Sequence, residues 1–547
     1  MGTLCGFQGG PGAARIMHCG AAIVLLGLMT IFASQSFSQL LSVHPSHRYL
    51  VTQDGTPFFL VGDAGWSLIA ELHDADADYY FQSRHAMGFN IVIVNLLEHM
   101  FSDNAPNNIY NQPPFTGTLF TTPNNAYFQH VDYILNSAAS QGIVVLLDPL
   151  YLGYGCGNEG WCAELDNADA AAMTTWGQYI GQRYASFDNI VWLIGGDTNP
   201  GTNEKLRLHA LINGIKQYDT RHLFTTHVDN STPPLVAWSV ADTSWLKINN
   251  TYISGGVSQI YTAAVTEYKR TPVLPFFLIE SSYENEHSMT QQGLRAESYW
   301  TVLSGGMGHV FGNCPIWHFD GAPGWCNPSG WKGQLSGQGS WNMKYFHDLF
   351  TSRRWYNLVP DLNHKVITAG YSSNLNYVTA AYCSDSSSII AYLPSSGTVT
   401  VNMSYVGGDS AAVWWFSPST GVCTRAGAYD HTSRSLSPPS GSGDWVLVVD
   451  NENLYPDTIN PISDVKETSV IASPQDGAYP NPFKTTVTIL SRQASSVEVF
   501  DILGRRVFSE KLSPGQKTVN WTPRKLGYGM YFVRLAGSKP FKVLYVP

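Results

Sequence analysis

Eight strand-like runs, most of them apolar throughout, alternate with amphipathic helical stretches between residues 40 and 360, and this alternation constrains the fold more than any other feature. The predicted strands are residues 58–64, 90–97, 143–151, 189–197, 222–228, 247–253, 273–281 and 309–317. The predicted helices are residues 74–89, 126–142, 168–186, 203–219, 259–270 and 293–306. Strands that are apolar throughout are buried on both faces, as parallel strands are. Eight such units predict a (β/α)8 TIM barrel.

A doubly wound open sheet is the alternative fold, because it also alternates strands with helices. Such a sheet would carry a glycine-rich phosphate turn after its first strand, and GDAGWS at residues 62–67 lacks the G-x-G-x-x-G pattern. A P-loop and a G-x-S-x-G motif are also absent from the sequence, which argues against nucleotide-dependent and esterase chemistry.

The rest of the chain divides by composition. Arg15 and the apolar run from Ala21 to Ala33 are typical of a signal peptide, and short β runs separated by Gly, Ser and Pro follow the barrel region. The fold class we predict is therefore a TIM barrel followed by a β-sandwich and a small C-terminal all-β domain. The segments are a signal peptide 1–38, the barrel 39–362, the sandwich 363–452, a linker 453–474 and the C-terminal domain 475–547.

The distribution of charge separates the last segment from the others. Residues 480–547 contain 11 Lys or Arg and 3 Asp or Glu, a net charge of +8, whereas the rest of the chain has −18. Charged residues make up only 13% of the chain and aromatic residues another 13%. This composition is typical of an exported protein with surfaces for neutral ligands, and a nucleic-acid-binding protein would be more basic.

Six cysteines lie beyond the predicted signal peptide, and an even number in an exported chain indicates disulfides. Their spacing favours the pairs Cys156–Cys162, Cys314–Cys326 and Cys383–Cys423. Six cysteines allow 15 pairings, so other connectivities remain open. A zinc site is a competing interpretation, but no C-x-x-C motif or adjacent histidine at ligand spacing supports it.

Two carboxylates are candidates for catalysis. In a TIM barrel, groups at the C-terminal ends of the strands face the active site. Asp197 follows VWLIGG and Glu280 follows PFFLI, so each comes directly after an apolar strand. Hydrolysis of a glycosidic bond needs two carboxyl groups on either side of that bond. Alternatively, either residue caps the next helix or pairs with an arginine.

Further polar and aromatic residues follow the predicted strands and are expected to shape a sugar subsite. They are Asp63, Trp66, Asn95, His99, Asp148, Tyr151, His227, Asn249, Tyr252, Tyr283 and Trp317. For Asp63 and Asp148, a structural role is an equal alternative. No H-E-x-x-H motif or paired-histidine spacing is present, so we expect neither a metal nor another cofactor.

Several stretches resemble the apiosidase-like barrels of glycoside hydrolase family 140. They are GDAGW (62–66), WLIGGDTNP (192–200), NNTYISG (249–255), PFFLIESSYENE (275–286) and PIWHF (315–319). The resemblance implies that Asp197 is the acid/base, that Glu280 is the nucleophile, and that the substrate is an apiose-linked side chain of pectin.

Two more resemblances concern the later segments. VWWFSPSTG (413–421) and GDWVLVVD (443–450) are similar to a sandwich that commonly follows such barrels and is named after collagen binding. YPNPF (479–483), FDILGRRV (500–507) and GYGMYFVRL (527–535) resemble the type A sorting domain of type IX secretion. This implies export to the cell surface or the medium, with the type IX machinery as a partner.

The sequence therefore predicts a secreted, monomeric, retaining glycosidase that acts on plant polysaccharide. An endo-acting hydrolase of other specificity and a surface glycan-binding protein without catalytic activity are the alternatives.

Overall fold

A computed structural model describes residues 40–324, 326–439 and 443–456 and parts of the C-terminal region, namely 477–479, 486–490, 496–501, 505–513, 516, 518–523, 526–527, 529–535 and 541–545. The predicted signal peptide (1–38) and most of the predicted linker (453–474) lie outside the described residues. Within this part of the chain, none of the helices combines the length and the hydropathy needed to cross a bilayer.

Eight parallel strands form a nearly closed barrel, which confirms the predicted fold. The strands are β1 Leu60–Ala64, β2 Ile91–Asn95, β3 Val144–Asp148, β4 Ile190–Gly195, β5 Phe224–His227, β6 Asn249–Tyr252, β7 Phe276–Glu280 and β8 Gly308–Phe311. Their order in the sheet is β5-β4-β3-β2-β1-β8-β7-β6. Each overlaps one of the predicted strands, and in most of them apolar residues are buried on both faces.

Side chains complete the barrel between β5 and β6. Asn250 Nδ2 donates to the carbonyl oxygen of Thr226 at 2.6 Å, and Thr225 Oγ1 donates to that of Ile248 at 2.9 Å. Polar side chains of β5 and of the weakly apolar β6 therefore bond to backbone carbonyl groups that regular strand pairing would otherwise satisfy.

Seven helices of nine or more residues belong to the barrel. They are α1 Asp74–Ala86, α2 Asn125–Ser140, α3 Ala170–Tyr184, α4 Thr202–Lys216, α5 Ile260–Tyr268, α6 Gln291–Leu303 and α7 Gln338–Thr351. The first six match the predicted helices, and α2, α3 and α6 begin after side-chain caps from Asn124, Asp169 and Thr290. The sequence analysis did not predict α7, although it buries a regular apolar face.

Shorter elements connect these. The short α-helices are Leu68–Glu71, Cys162–Asn167, Pro234–Ala237 and Trp331–Gln334. The 3-10 helices are Tyr154–Cys156, Val240–Asp242, Val257–Gln259, Ile316–His318, Trp355–Asn357, Asn374–Asn376 and Met403–Tyr405. A three-stranded antiparallel sheet of Ser42–Val43, Leu50–Val51 and Pro57–Phe58 precedes the barrel.

The β-sandwich follows the barrel and consists of two antiparallel sheets. Its strands are β9 Leu358–Pro360, β10 Ile367–Ala369, β11 Thr379–Cys383, β12 Ser388–Leu393, β13 Val399–Asn402, β14 Ala411–Phe416, β15 Cys423–Tyr429, β16 Ser433–Leu436 and β17 Trp445–Asn451. The six-stranded sheet has the order β9-β11-β12-β17-β14-β15, and the three-stranded sheet has the order β10-β13-β16.

The six-stranded sheet packs on the barrel as well as on the small sheet. Tyr392 and Trp414 belong to the same hydrophobic core as Tyr299 of α6, and the rings of Tyr299 and Tyr392 are stacked at 4.9 Å. Trp415, on the opposite face, packs into the core between the two sheets together with Val401. Both faces of the large sheet are therefore covered.

The predicted disulfides Cys156–Cys162 and Cys314–Cys326 are present, with Cα separations of 5.2 and 5.5 Å. The predicted pair Cys383–Cys423 is wrong, because Cys383 is in β11 and Cys423 begins β15. Three strands lie between them in the sheet, which corresponds to roughly 19 Å at about 4.8 Å per strand. A disulfide needs Cα atoms within about 7 Å.

The described part of the C-terminal region is all-β, as predicted. Its strands are β18 Gly477–Tyr479, β19 Val487–Leu490, β20 Ser496–Phe500, β21 Arg506–Lys511, β22 Thr518–Trp521, β23 Gly529–Leu535 and β24 Phe541–Tyr545. They form two antiparallel sheets with the orders β18-β19-β22 and β21-β20-β23-β24.

Candidate active site

A cavity of about 630 Å³ opens at the C-terminal ends of the barrel strands. Eight of the residues that the sequence predicted for the site line this cavity: Trp66, Asn95, Tyr151, Asp197, Tyr252, Glu280, Tyr283 and Trp317. They come from seven of the eight strands or from the loops that follow them. The two candidate catalytic carboxylates therefore share one cavity.

Glu280 is the last residue of β7, and two donors hold its carboxylate. His227 Nε2 lies 2.7 Å from Glu280 Oε2, and the hydroxyl of Tyr283 also forms a hydrogen bond with this carboxylate. The indole N–H of Trp66 donates to Tyr283 Oη at 3.0 Å, so the single hydroxyl proton of Tyr283 is directed to Glu280. Burial and the charge of Asp197 raise the pKa of Glu280, although the hydrogen bonds from His227 and Tyr283 oppose this.

His227 lies between the two carboxylates and contacts both residues. The backbone N–H of Asp197 donates to His227 Nδ1 at 3.0 Å. Because Nδ1 accepts this bond, we assign the ring proton to Nε2, which donates to Glu280. Burial lowers the pKa of His227, but the hydrogen bond to Glu280 and the charges of Asp197 and Glu280 outweigh it and raise the pKa overall.

Asp197 follows two glycines at the end of β4, and its own φ of +38° is in the left-handed region. Tyr151 Oη donates to Asp197 Oδ2 at 2.7 Å. A Cβ atom on Gly196 would lie 2.3 Å from Cδ2 of the Tyr151 ring, so the ring packs where a side chain would otherwise be. Gly196 therefore makes room for the Tyr151 ring beside Asp197.

The two carboxylates are close to each other. One oxygen of Asp197, one oxygen of Glu280 and one nitrogen of His227 all lie within 4.8 Å of one another. These three residues could in principle share a cation. In the tautomer assigned above, however, Nδ1 of His227 accepts the hydrogen bond from the Asp197 N–H and Nε2 carries the ring proton, so neither nitrogen offers a free lone pair to a metal.

Five predicted subsite residues do not line the cavity: His227, which lies between the two carboxylates, and four others. For Asp63 the structure supports the structural alternative, because it is fully buried and forms an ion pair with Arg84 of α1 at 2.9 Å. Asn249 is also buried, and its Nδ2 donates to Glu267 at 2.6 Å. Both side chains are engaged in bonds within the protein and are not available to a sugar.

Asp148 and His99 also lie off the cavity. Asp148 is fully buried, its Oδ1 accepts the backbone N–H of Leu150 at 2.9 Å, and burial raises its pKa well above the usual value. His99 packs edge-on against the ring of Trp161, and its Nε2 lies 3.3 Å from Glu164. The subsite roles predicted for these two residues are therefore corrected to structural ones.

The sequence analysis missed several residues that line the cavity. They are Phe101, Ser254, Ser281, Ser282, Asn285, Glu286 and His287, together with Cys314 and Cys326. Among them, Glu286 Oε1 accepts the indole N–H of Trp317 at 3.0 Å, and burial raises the pKa of Glu286. The described lining thus contains three carboxylates, those of Asp197, Glu280 and Glu286, and no lysine or arginine.

Three segments of the chain match models of known families. Residues 44–357, more than half of the chain, match the apiosidase-like catalytic domain. Residues 359–450 match the family described as the putative collagen-binding domain of a collagenase. Residues 477–543 match the secretion system C-terminal sorting domain.

Solved structures show the same fold. The chain is similar to a glycoside hydrolase family 5 protein from Bacteroides vulgatus, with 24% identity and a TM-score of 0.66 over 76% of this chain and 94% of that one. A structure described as a glycoside hydrolase shares 23% identity, with a TM-score of 0.67 over 76% of this chain and 98% of that one. At these identities the likeness concerns the fold alone. A comparison with curated proteins gave no match.

Proposed function

The chain belongs to the apiosidase-like family of glycoside hydrolases, and from this premise we propose that it is a retaining glycosidase that removes apiose-type residues from side chains of plant pectin. One observation supports this most directly: Asp197 and Glu280 face a single cavity, with carboxylate oxygens within 4.8 Å of each other. Retaining enzymes place their two carboxyl groups about 5–5.5 Å apart, whereas inverting enzymes separate them by about 6.5–9.5 Å to admit a water molecule.

The proposed reaction has two steps. In the first, protonated Asp197 gives its proton to the glycosidic oxygen while Glu280 attacks the anomeric carbon, so that the leaving alcohol departs and a glycosyl ester forms on Glu280. In the second, Asp197 takes a proton from water, which attacks the same carbon and releases Glu280. The hydrogen bonds from His227 and Tyr283 orient the Glu280 carboxylate for the attack.

The surroundings of the two carboxylates favour catalysis over simple glycan binding. Among the described ion pairs, both Asp197 and Glu280 face His227, and neither is paired with an arginine. Because three carboxylates and no basic side chain from lysine or arginine line the described cavity, a uronate would be repelled there. A neutral sugar such as apiose suits this cavity, and an acidic pectin backbone would have to lie on the leaving-group side.

The stereochemistry of transfer tests the proposed function. We expect the enzyme to release apiose from apiosylated pectin oligosaccharides and, when methanol is added, to form the methyl glycoside with the anomeric configuration of the substrate. Methyl glycosides do not mutarotate, so NMR of the product reads the configuration directly. A methyl apioside of inverted configuration would contradict the retaining mechanism, and a lack of apiose release would contradict the substrate assignment.

Glu286 and Trp317 form one side of the cavity, where the indole ring lies beside a carboxylate that can accept hydrogen bonds from sugar hydroxyls. We expect Glu286→Gln to raise KM about 5- to 10-fold and to change kcat less than about 2-fold, since the change weakens one charge-assisted hydrogen bond to the sugar and leaves Asp197 and Glu280 unaltered. Steady-state kinetics on the apiosylated oligosaccharide measure both constants. A large fall in kcat at constant KM would instead assign Glu286 a role in the chemical step.

The pH profile depends on His227. Its hydrogen bond lowers the pKa of Glu280, and Glu280 must be ionised to attack, so removing the bond should raise this pKa and shift the acidic limb of kcat/KM towards higher pH. For His227→Phe we expect a shift of about one pH unit, together with a lower maximum. His309→Phe is the matched control, because His309 is equally buried in the barrel but bonds only to Ser298 among its described partners. An unchanged acidic limb in His227→Phe would refute the assignment.

The C-terminal match indicates that the chain is exported, because this family is a secretion sorting domain. We propose the type IX machinery as its partner and the cell surface or the medium as its destination. The signal peptide and the monomeric state remain predictions from the sequence.

A further inference from the structure

A glycine-rich loop between β3 and α3 is closed by the disulfide Cys156–Cys162. Four of its residues are glycines, at positions 153, 155, 157 and 160. Cys156 is exposed, whereas Cys162 is buried and begins the short helix Cys162–Asn167. The disulfide therefore ties an exposed segment to a fixed point in the protein core.

This loop holds Asp197 from two sides. The N–H of Gly155, the residue before Cys156, donates to the carbonyl oxygen of Asp197 at 3.0 Å. At the other end of the loop, the N–H of Trp161 donates to the carbonyl oxygen of Tyr151 at 2.8 Å, and the Tyr151 hydroxyl donates to Asp197 Oδ2. One end thus fixes the backbone of Asp197, and the other fixes the residue that orients its carboxyl group.

Such a hold is needed because Asp197 has an unfavourable backbone conformation. Its φ of +38° is uncommon for a residue with a side chain, and such conformations persist where the surroundings determine them. A loop with four glycines has many conformations available, so it can impose a geometry on Asp197 only if it is itself constrained. The covalent link from Cys156 to Cys162 supplies this constraint.

We propose that the Cys156–Cys162 disulfide is a positioning device that keeps the Asp197 carboxyl group in place for proton transfer. Cys156 and Cys162 are thus positioning residues that act through Gly155 and Tyr151. This inference rests on the proposed acid/base role of Asp197.

Two substrates with different leaving groups show whether the variant misplaces the Asp197 carboxyl group or destabilises the whole site. A phenyl apioside needs protonation of its leaving oxygen, whereas a nitrophenyl apioside departs with little help. We expect C156S/C162S to lower kcat/KM about 10- to 100-fold for the phenyl apioside and less than about 3-fold for the nitrophenyl apioside. Equal losses for both substrates, measured on protein with an unchanged circular dichroism spectrum, would overturn the proposal.

The second disulfide provides the matched control. Cys314 and Cys326 line the same cavity but form no described contact with Asp197. We expect C314S/C326S to change kcat/KM by the same factor for both apiosides. Asp197→Ala distinguishes a failure of the acid/base role from a failure of the positioning role. If kcat/KM of Asp197→Ala falls equally for both apiosides, the acid/base role is refuted. If it falls equally only in C156S/C162S, the positioning role alone is refuted.

Hydrogen exchange tests the same contact without any substrate. In C156S/C162S, peptides covering residues 151–160 and 195–199 should both exchange faster than in the wild-type protein, and a peptide covering residues 276–284 should not. If exchange accelerates in the loop peptide alone, the disulfide does not hold Asp197, and the proposal is refuted.

Discussion

Replacing Glu280 by glutamine should lower kcat by about 10⁴-fold or more while leaving the fold intact. The amide has the shape of the carboxylate, and its single carbonyl oxygen can still accept the hydrogen bond from His227, but it cannot attack the anomeric carbon. Turnover of the apiosylated oligosaccharide, measured beside circular dichroism of the same sample, gives the result. Wild-type rates would refute the assignment of the nucleophile.

Glu286→Gln is the matched control for this variant, because it makes the same chemical change at another carboxylate of the same cavity. Loss of turnover in Glu280→Gln together with a mere rise of KM in Glu286→Gln would locate the chemistry at Glu280. A similar loss in both variants would indicate that the charge of the cavity matters and not one particular carboxylate.

Azide distinguishes the nucleophile from the acid/base. In Glu280→Ala the space left by the carboxylate admits azide, which should restore turnover of a nitrophenyl apioside and yield a glycosyl azide of inverted configuration. In Asp197→Ala the glycosyl ester on Glu280 still forms, so azide should yield the retained configuration. A retained product from Glu280→Ala and an inverted product from Asp197→Ala would make Asp197 the nucleophile and Glu280 the acid/base.

The barrel could be predicted from the sequence because most of its strands are apolar on both faces. In β4, for example, Leu193 and Trp192 belong to two different hydrophobic cores, so neither face carries polar residues. The side-chain bonds between β5 and β6 could not be predicted, since the sequence does not show which carbonyl groups Asn250 and Thr225 reach.

The site was predictable only in part, for a reason that Asp63 illustrates. Position at a strand end is visible in the sequence, but successive residues of a strand face opposite sides, and a uniformly apolar strand does not indicate which side is the inner one. Asp63 forms its ion pair with Arg84 of α1. Glu286 was missed because it lies in a loop, between Asn285 and His287 with φ values of 68° and 47°, where no periodic pattern gives the direction of a side chain.

Asp444→Ala should destabilise the folded protein by roughly 3–5 kcal/mol. Asp444 is buried in the sandwich, where it accepts two hydrogen bonds from Arg295 of α6, at 2.8 and 2.7 Å, and one from Tyr392 at 2.9 Å. Its removal leaves the Arg295 guanidinium buried without its counter-ion. Chemical denaturation followed by circular dichroism measures the free energy of unfolding.

Asp430→Ala is the control, because Asp430 is an exposed residue of the sandwich whose contact with Arg434 is 3.9 Å long. We expect its effect to be much smaller than that of Asp444→Ala, because solvent screens an exposed ion pair. The double variant R295M/D444L should recover most of the stability lost in Asp444→Ala, because a buried ion pair can be replaced by apolar side chains without loss.

The number of unfolding transitions decides what this interface does. Tyr299 of the barrel and Tyr392 of the sandwich belong to one hydrophobic core, so we expect the barrel and the sandwich to unfold together, with loss of activity and of sandwich structure at the same denaturant concentration. In that case the sandwich is part of the catalytic unit, and its large sheet, covered on both faces, stabilises the barrel. If activity survives the unfolding of the sandwich in Asp444→Ala, the barrel is stable alone, and the interface connects the two domains without stabilising the barrel.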